Sequence, residues 1–363
     1  MLRLNEVKCS AMLAAVVLLT GANGAALGQS SVTVYGLLDV GLVRESGGSA
    51  GAATKVGSGV ANGSRLGFKG DEALGAGWSA LFLLEAGIQL DDGTSSQGGV
   101  VFGRQNYVGL RGPAGTITVG RQYTPQFDTL VLADPFSSGQ VADAKNLMPS
   151  TGDANTRMTN SIKYASANHG GISGELAYAP GETAGDAGRG RQFGGALAYA
   201  RGALKLRLGY HYRNTDTPAS RQGGARDTLL AATYDFGRVK AHLGYGVDKG
   251  IGSSLPRNPN NPYGHAPAPG GTADSTDLLL GLTVSSGPHT VMASWVRKDD
   301  RTGANQDARQ LALGHRYALS RRTDTYVALA HIVNRNGAGY TAGNASDAGS
   351  GNRAVSAGIR HQF

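Results

Sequence analysis

The chain has 363 residues, 57 of them Gly, and carries 34 Lys and Arg against 26 Asp and Glu, a net charge of +8. Glycine at this density costs helix stability at nearly every turn, whereas 14 Tyr, alternating Val and Leu and scattered Gly, Asn and Asp clusters suit strands joined by turns, so the composition indicates an all-β protein. The single Cys excludes a disulfide framework and any zinc site built on several thiolates.

Residues 1–28 read as a cleaved signal peptide. Arg3 and Lys8 flank a short basic region, residues 11–19 form an apolar run too short to span a membrane, and small residues lead to Ala26-Leu27-Gly28 ahead of Gln29. Val7-Lys8 before Cys9 is no lipidation signal. Cleavage would leave residues 29–363 as one barrel domain, still basic and without Cys.

Beyond Gln29 no stretch approaches the roughly 18 apolar residues of a spanning helix. Sixteen alternating segments follow instead, near 31–43, 64–72, 78–90, 100–111, 116–123, 157–166, 171–179, 191–200, 203–213, 226–236, 239–247, 275–285, 289–298, 308–318, 323–333 and 353–363. In 203–213, Leu204, Leu206, Leu208, Tyr210 and Tyr212 share one face, while Lys205, Arg207, His211 and Arg213 share the other. Charges fixed in mid-strand favour lipid outside and water inside over a soluble sandwich. Tight turns alternate with longer connections, notably 124–156 and 249–274. The expected architecture is a 16-stranded antiparallel transmembrane up-and-down β-barrel with short turns on one rim and long loops on the other.

Several segments carry a family resemblance in order along the chain. Ser31-Val32-Thr33-Val34-Tyr35-Gly36, Ser64-Arg65-Leu66-Gly67-Phe68-Lys69-Gly70, Arg104-Gln105-Asn106-Tyr107-Val108-Gly109-Leu110, Gly120-Arg121-Gln122-Tyr123, Asn160-Ser161-Ile162-Lys163-Tyr164 and the terminal Gly358-Ile359-Arg360-His361-Gln362-Phe363 resemble the general trimeric porins of the Gram-negative outer membrane. The resemblance implies a homotrimeric, water-filled channel for small hydrophilic solutes, without cofactor. It further implies that Phe363 belongs to a signal read by the barrel-assembly machinery, and that the third loop, 124–156, folds inward to narrow the lumen. In that family the loop presents acids opposite an arginine cluster. Asp128, Asp134 and Asp143 are among the carboxylates available, and Asp134 is the best match. A solvated surface loop is the other reading.

Alternation tests the basic wall. Leu66 and Phe68 face one way, which sends Arg65 and Lys69 into the lumen; Met158, Ile162 and Tyr164 point out, which sends Arg157 and Lys163 in. Arg104 is the matching family position on the fourth strand, and its inward placement would turn Gln105 and Tyr107 outward, toward a subunit contact. Arg121 shares parity with Ile117 and Val119. It is placed outward, where the resemblance expects the second loop of a neighbouring subunit to latch through Asp91 or Asp92. For each arginine the alternative is a rim charge contacting lipopolysaccharide phosphate. Inward bases outnumber inward acids, among them Asp39, Glu85, Glu175 and Asp235, which implies anion preference.

No metal-spaced His pair, nucleophile elbow or phosphate-cradling loop appears, so an enzyme is not expected. Nor does any basic run or aromatic platform point to nucleic acid. The alternative from another class is a structural or adhesive surface barrel whose loops do the work.

Overall fold

The alternating segments close on themselves. In the computed structural model, which describes residues 31–48, 51–148, 156–253 and 272–363, they form β1 (Ser31–Gly48), β2 (Gly51–Ser58), β3 (Arg65–Gly75), β4 (Trp78–Gly87), β5 (Gln105–Gly112), β6 (Gly115–Tyr123), β7 (Arg157–Ser166), β8 (Ile172–Ala179), β9 (Gln192–Arg201), β10 (Leu204–Arg213), β11 (Ala225–Asp235), β12 (Val239–Ile251), β13 (Thr272–Ser286), β14 (His289–Asp300), β15 (Ala308–Ala318), β16 (Thr323–Asn334) and β17 (Arg353–Gln362). From β3 onward each strand pairs antiparallel with the next. The last pairs with the first, from Leu37 opposite Gln362 to Ser46 opposite Arg353. Closure joins the two ends of the sheet, the condition for a sheet to cross a bilayer. The signal segment 1–28 lies outside the described residues.

Seventeen strands make sixteen staves, because β2 and β3 share one. β2 pairs with the upper part of β1 from Val40 to Gly48, and β3 with its lower part from Ser31 to Leu37. Between them the chain dips inward, and Asp39 holds the dip. Its carboxylate accepts the Ala61 amide at 3.2 Å, the Asn62 amide at 3.1 Å and the Tyr326 hydroxyl at 2.7 Å. Gly59, at φ +66°, makes the bend that an L side chain resists. Asp39 is thus inward, as alternation implies, yet its charge serves the backbone instead of the lumen.

Outward positions carry the apolar surface. Leu208, Leu230, Leu280, Leu313, Leu329 and Ile359 are each at least two-fifths exposed, whereas alternate neighbours such as Ala231, Leu279 and Ala330 are buried against the interior. Two strands depart from the sequence-based parity. β5 starts only at Gln105, after a bend at Arg104, so Val108 and Leu110 face out, and Tyr107 lines a lumenal cavity with Lys69. Gln105 and Tyr107 therefore do not mark a subunit contact. Met158 is buried against Ala177 and Ala179 because the ladder slips opposite Gly120–Gln122, near Asn160 at φ +55°.

Candidate functional site: the pore constriction

The described part of loop 124–156, residues 124–148, lies inside the barrel. Its first turn is stabilised locally: Thr124 caps α1 (Pro125–Ala133) by accepting the Phe127 amide at 3.0 Å, and Pro125 occupies the position where a missing N–H costs nothing. The helix then runs along a track of inward glycines. A Cβ on Gly194 (β9) would lie 2.9 Å from Pro125, one on Gly209 (β10) 3.0 Å from Thr129 Cβ, one on Gly244 (β12) 3.2 Å from Ala133 and one on Gly281 (β13) 2.9 Å from Pro135. On β15 a Cβ at Gly314 would meet Phe136 at 2.6 Å. Side-chain-free wall positions thus let the loop sit flush against one half of the barrel, leaving the lumen open on the other.

A second set of bonds fixes the far end of the loop. Gln310, fully buried on β15, donates to the carbonyls of Ala142 and Asp143 at 3.1 and 3.2 Å and accepts from Asn146 at 2.9 Å. Asn146 in turn accepts the Gly343 amide at 3.0 Å, joining loop 124–156 to the loop between β16 and β17.

Asp134 corrects the sequence-based assignment. It does not face the arginines across the lumen. It ends α1, and its carboxylate accepts backbone amides from Phe136 at 3.0 Å, Ser138 at 3.0 Å and Ala144 at 3.1 Å. Burial, reinforced by nearby Asp143, pushes its pKa up to about 7 despite those three donors. Among the described residues of this loop the acid that borders the opening is Asp128, in the first turn of α1 where a negative charge suits the helix dipole.

Across from α1 stand the predicted arginines. Arg65, Arg104 and Arg157 border one open cavity of about 870 Å³ together with Tyr123, Asp128 and Lys145. Arg104 is held on both sides, by Glu85 at 2.8 Å and by the Tyr123 hydroxyl at 2.7 Å. Arg157 lies over the Tyr123 ring at 5.0 Å, and the Nε of Arg65 has no hydrogen-bond partner among the described residues. Lys163 also points inward, but Glu175 at 3.0 Å and Asp128 at 3.4 Å take up its charge. Lys69 sits lower, over Tyr35 at 5.4 Å, in a separate cavity of about 460 Å³.

The remaining assignments fall elsewhere. Arg121 donates to the carbonyl of Gly103 in its own chain at 2.8 Å. Asp91 and Asp92 are exposed in the turn after β4, where Asp92 accepts the Thr94 amide at 2.8 Å. Phe363 is outward on the same face as Val355 and Ile359, and its backbone pairs with Gly36 at 3.1 and 3.2 Å.

Three features escaped sequence reading. Residues 344–348, from the loop before β17, border the same cavity, and Asp347 there is paired to Lys55 at 2.6 Å. The glycine track is silent in a chain with so many turn glycines. Third, Asp227, Asp248 and Asp277 also point inward, so the interior is not uniformly basic. They are buried around Lys298, which lies 3.1 Å from Asp248 and 2.8 Å from Asp277.

The profile of the Gram-negative porin family matches residues 13–337. Outer membrane porin protein 32 of Delftia acidovorans is 32% identical, over 94% of this chain and 97% of its own. An outer membrane porin protein of Bordetella pertussis is 30% identical over 97% and 99%. Among solved structures, an anion-selective porin from Comamonas acidovorans superposes with a TM-score of 0.74 at 28% identity, covering 92% of this chain and all of that one. OmpT of Vibrio cholerae, at 15% identity and a TM-score of 0.64, shares the fold. With a closed sixteen-stave barrel, an inward loop and a charged opening beside it, the chain belongs to the Gram-negative porin family and is a channel of the outer membrane.

Proposed function

We propose that the protein is a homotrimeric, anion-preferring diffusion channel for small hydrophilic solutes, with Arg65, Arg104 and Arg157 as the basic side of its constriction. The observation that carries this reading is the charge imbalance at the opening. Among the described residues four cations border the cavity, Arg65, Arg104, Arg157 and Lys145, against two acids, Asp128 and Asp347, while Glu85 and Asp143 pair with Arg104 and Lys145 from behind. An ion about 7 Å from one uncompensated guanidinium gains about 2 kcal/mol at an effective dielectric near 20, enough to bias permeation several-fold. The Comamonas acidovorans porin is described as anion-selective, which supports the same sign.

The arginines are spread along the wall of an open cavity, an arrangement suited to passage of solutes. Assembly as a trimer, insertion by the barrel-assembly machinery through Phe363, and contact with lipopolysaccharide complete the reading. Purified protein in a planar bilayer under a KCl gradient tests it. A conductance step whose reversal potential has the sign of chloride preference is expected. No step, as from a plugged adhesive barrel, or a potassium-preferring potential, would overturn it. Mass measurement in mild detergent checks the trimer.

A further inference from the structure

Antiparallel pairing brings together two histidines that lie 26 residues apart in the chain. His289 opens β14 directly after the tight turn from β13, and His315 lies near the end of β15. In the ladder His289 stands opposite Tyr317 and His315 opposite Val291, so the two imidazoles meet on the diagonal of one face. That face is the outer one. His315 continues the exposed series Leu311 and Leu313, and His289 shares the side of exposed Val291. Short turns mark the periplasmic rim of a barrel of this kind, so the pair sits at the periplasmic edge of the apolar band.

The Nδ1 of His289 lies 3.1 Å from the Nε2 of His315, with ring centroids 5.3 Å apart and planes inclined by 28°. The centroid separation exceeds the nitrogen separation by about two ring radii, so the two nitrogens point at each other across a shared proton. Tyr317 backs the His289 ring, 5.0 Å between centroids. Metal–imidazole bonds of about 2.0–2.1 Å, meeting at about 90–110°, hold their nitrogens roughly 2.9–3.4 Å apart. The observed separation falls within that range. The ring that donates the shared proton can carry it on its other nitrogen instead, which leaves two neutral imidazoles with facing lone pairs and no net change in protons. Rotation about the soft χ2 torsions then aims both lone pairs at one point.

We propose that His289 and His315 form a two-imidazole chelate for a transition-metal dication on the outer wall at the periplasmic rim. Among the described residues no further His, Cys, Asp or Glu completes a three-ligand group, so water fills the remaining positions. Imidazole donors select zinc(II), nickel(II) or copper(II) over magnesium and calcium, which take oxygen ligands. The site faces away from the lumen and is separate from the ion path. His361, also outward, contacts Thr323 at 2.9 Å instead of a second imidazole and serves as the comparison.

The test is a calorimetric titration with Zn²⁺ of the intact, detergent-solubilised porin, free of any histidine tag and stripped with chelator. One Zn²⁺ should bind per chain, and excess Mg²⁺ should not displace it. His289→Gln and His315→Gln should each weaken binding at least about tenfold, because each removes half of a chelate. His361→Gln should leave it unchanged, and all three variants should keep the wild-type conductance step, which separates this site from the pore. With Cu²⁺ as the probe, electron paramagnetic resonance should show coupling to two ring nitrogens, reduced by either substitution. If His315→Gln fails to give a heat-modifiable barrel, His289→Gln, next to the turn, serves alone. Unchanged affinity in the folded His289→Gln variant, an equal loss from His361→Gln, or displacement by Mg²⁺ would each overturn the proposal and leave the pair as a hydrogen bond only.

Discussion

Glu85 lies 2.8 Å from the Nε of Arg104, with only 4% and 10% of the two side chains exposed, and its other oxygen accepts the Tyr35 hydroxyl at 2.8 Å. Arg104, the middle of the three wall arginines, is therefore compensated from behind by a buried carboxylate. Removing the partner of a buried ion pair leaves a stranded charge. Glu85→Gln should destabilise the barrel by about 3 kcal/mol, read by thermal unfolding in detergent, and at the same time raise chloride preference, read from the reversal potential.

The glycine track makes a steric prediction. Gly209→Val or Gly244→Leu would place side-chain atoms where Thr129 and Ala133 now rest. Overpacking of this kind costs about 1–3 kcal/mol, and α1 can relieve it by moving toward the lumen. Lower single-channel conductance is expected from a barrel that still assembles. Unchanged conductance would show that α1 is not seated by these strands.

Gln310 anchors the loop at its other end. Gln310→Leu strands the carbonyls of Ala142 and Asp143 in a buried setting, at about 1–3 kcal/mol for each unsatisfied group. The loop should open more often, seen as noisier single-channel current and faster proteolysis within 134–148. The barrel itself should keep its thermal transition.

Asp134 gives the loop a pH dependence of defined sign. Its pKa rises from an ordinary 3.8 to about 7 in the folded loop, so folding favours the protonated form. The stabilisation is complete below about pH 4 and is lost as pH rises through 7. Amide hydrogen exchange across 134–148 should be faster at pH 8 than at pH 5 after correction for intrinsic rates. Asp134→Asn should flatten this dependence, because the amide cannot ionise. It should leave ion selectivity unchanged, because Asp134 faces the interior of the loop.

The barrel was legible in the sequence because a membrane strand has to alternate: the lipid face of 203–213 and the inward placement of Arg65 and Lys163 follow from parity alone. Parity fails where the ladder slips. The bend at Arg104 inverted the assignments of Gln105 and Tyr107, and the bulge near Asn160 hid the burial of Met158. The acid of the inward loop was misassigned for a different reason. Asp128 and Asp134 are six residues apart, and only the three-dimensional path of α1 shows which carboxylate is occupied by backbone amides. The positions of the wall arginines were thus more readable from the chain than the path of the loop.

The reversal potential of the wild type beside Arg65→Gln with Arg157→Gln, under one KCl gradient at low salt, addresses the central claim directly. The wild-type channel should prefer chloride, and the double variant should lose most of that preference while keeping its conductance step. Raising salt toward about 1 M, where the screening length falls to about 3 Å, should erase most of the difference between them. An identical reversal potential in the two proteins at low salt would place the selectivity-determining charge elsewhere in the lumen and contradict the constriction described above.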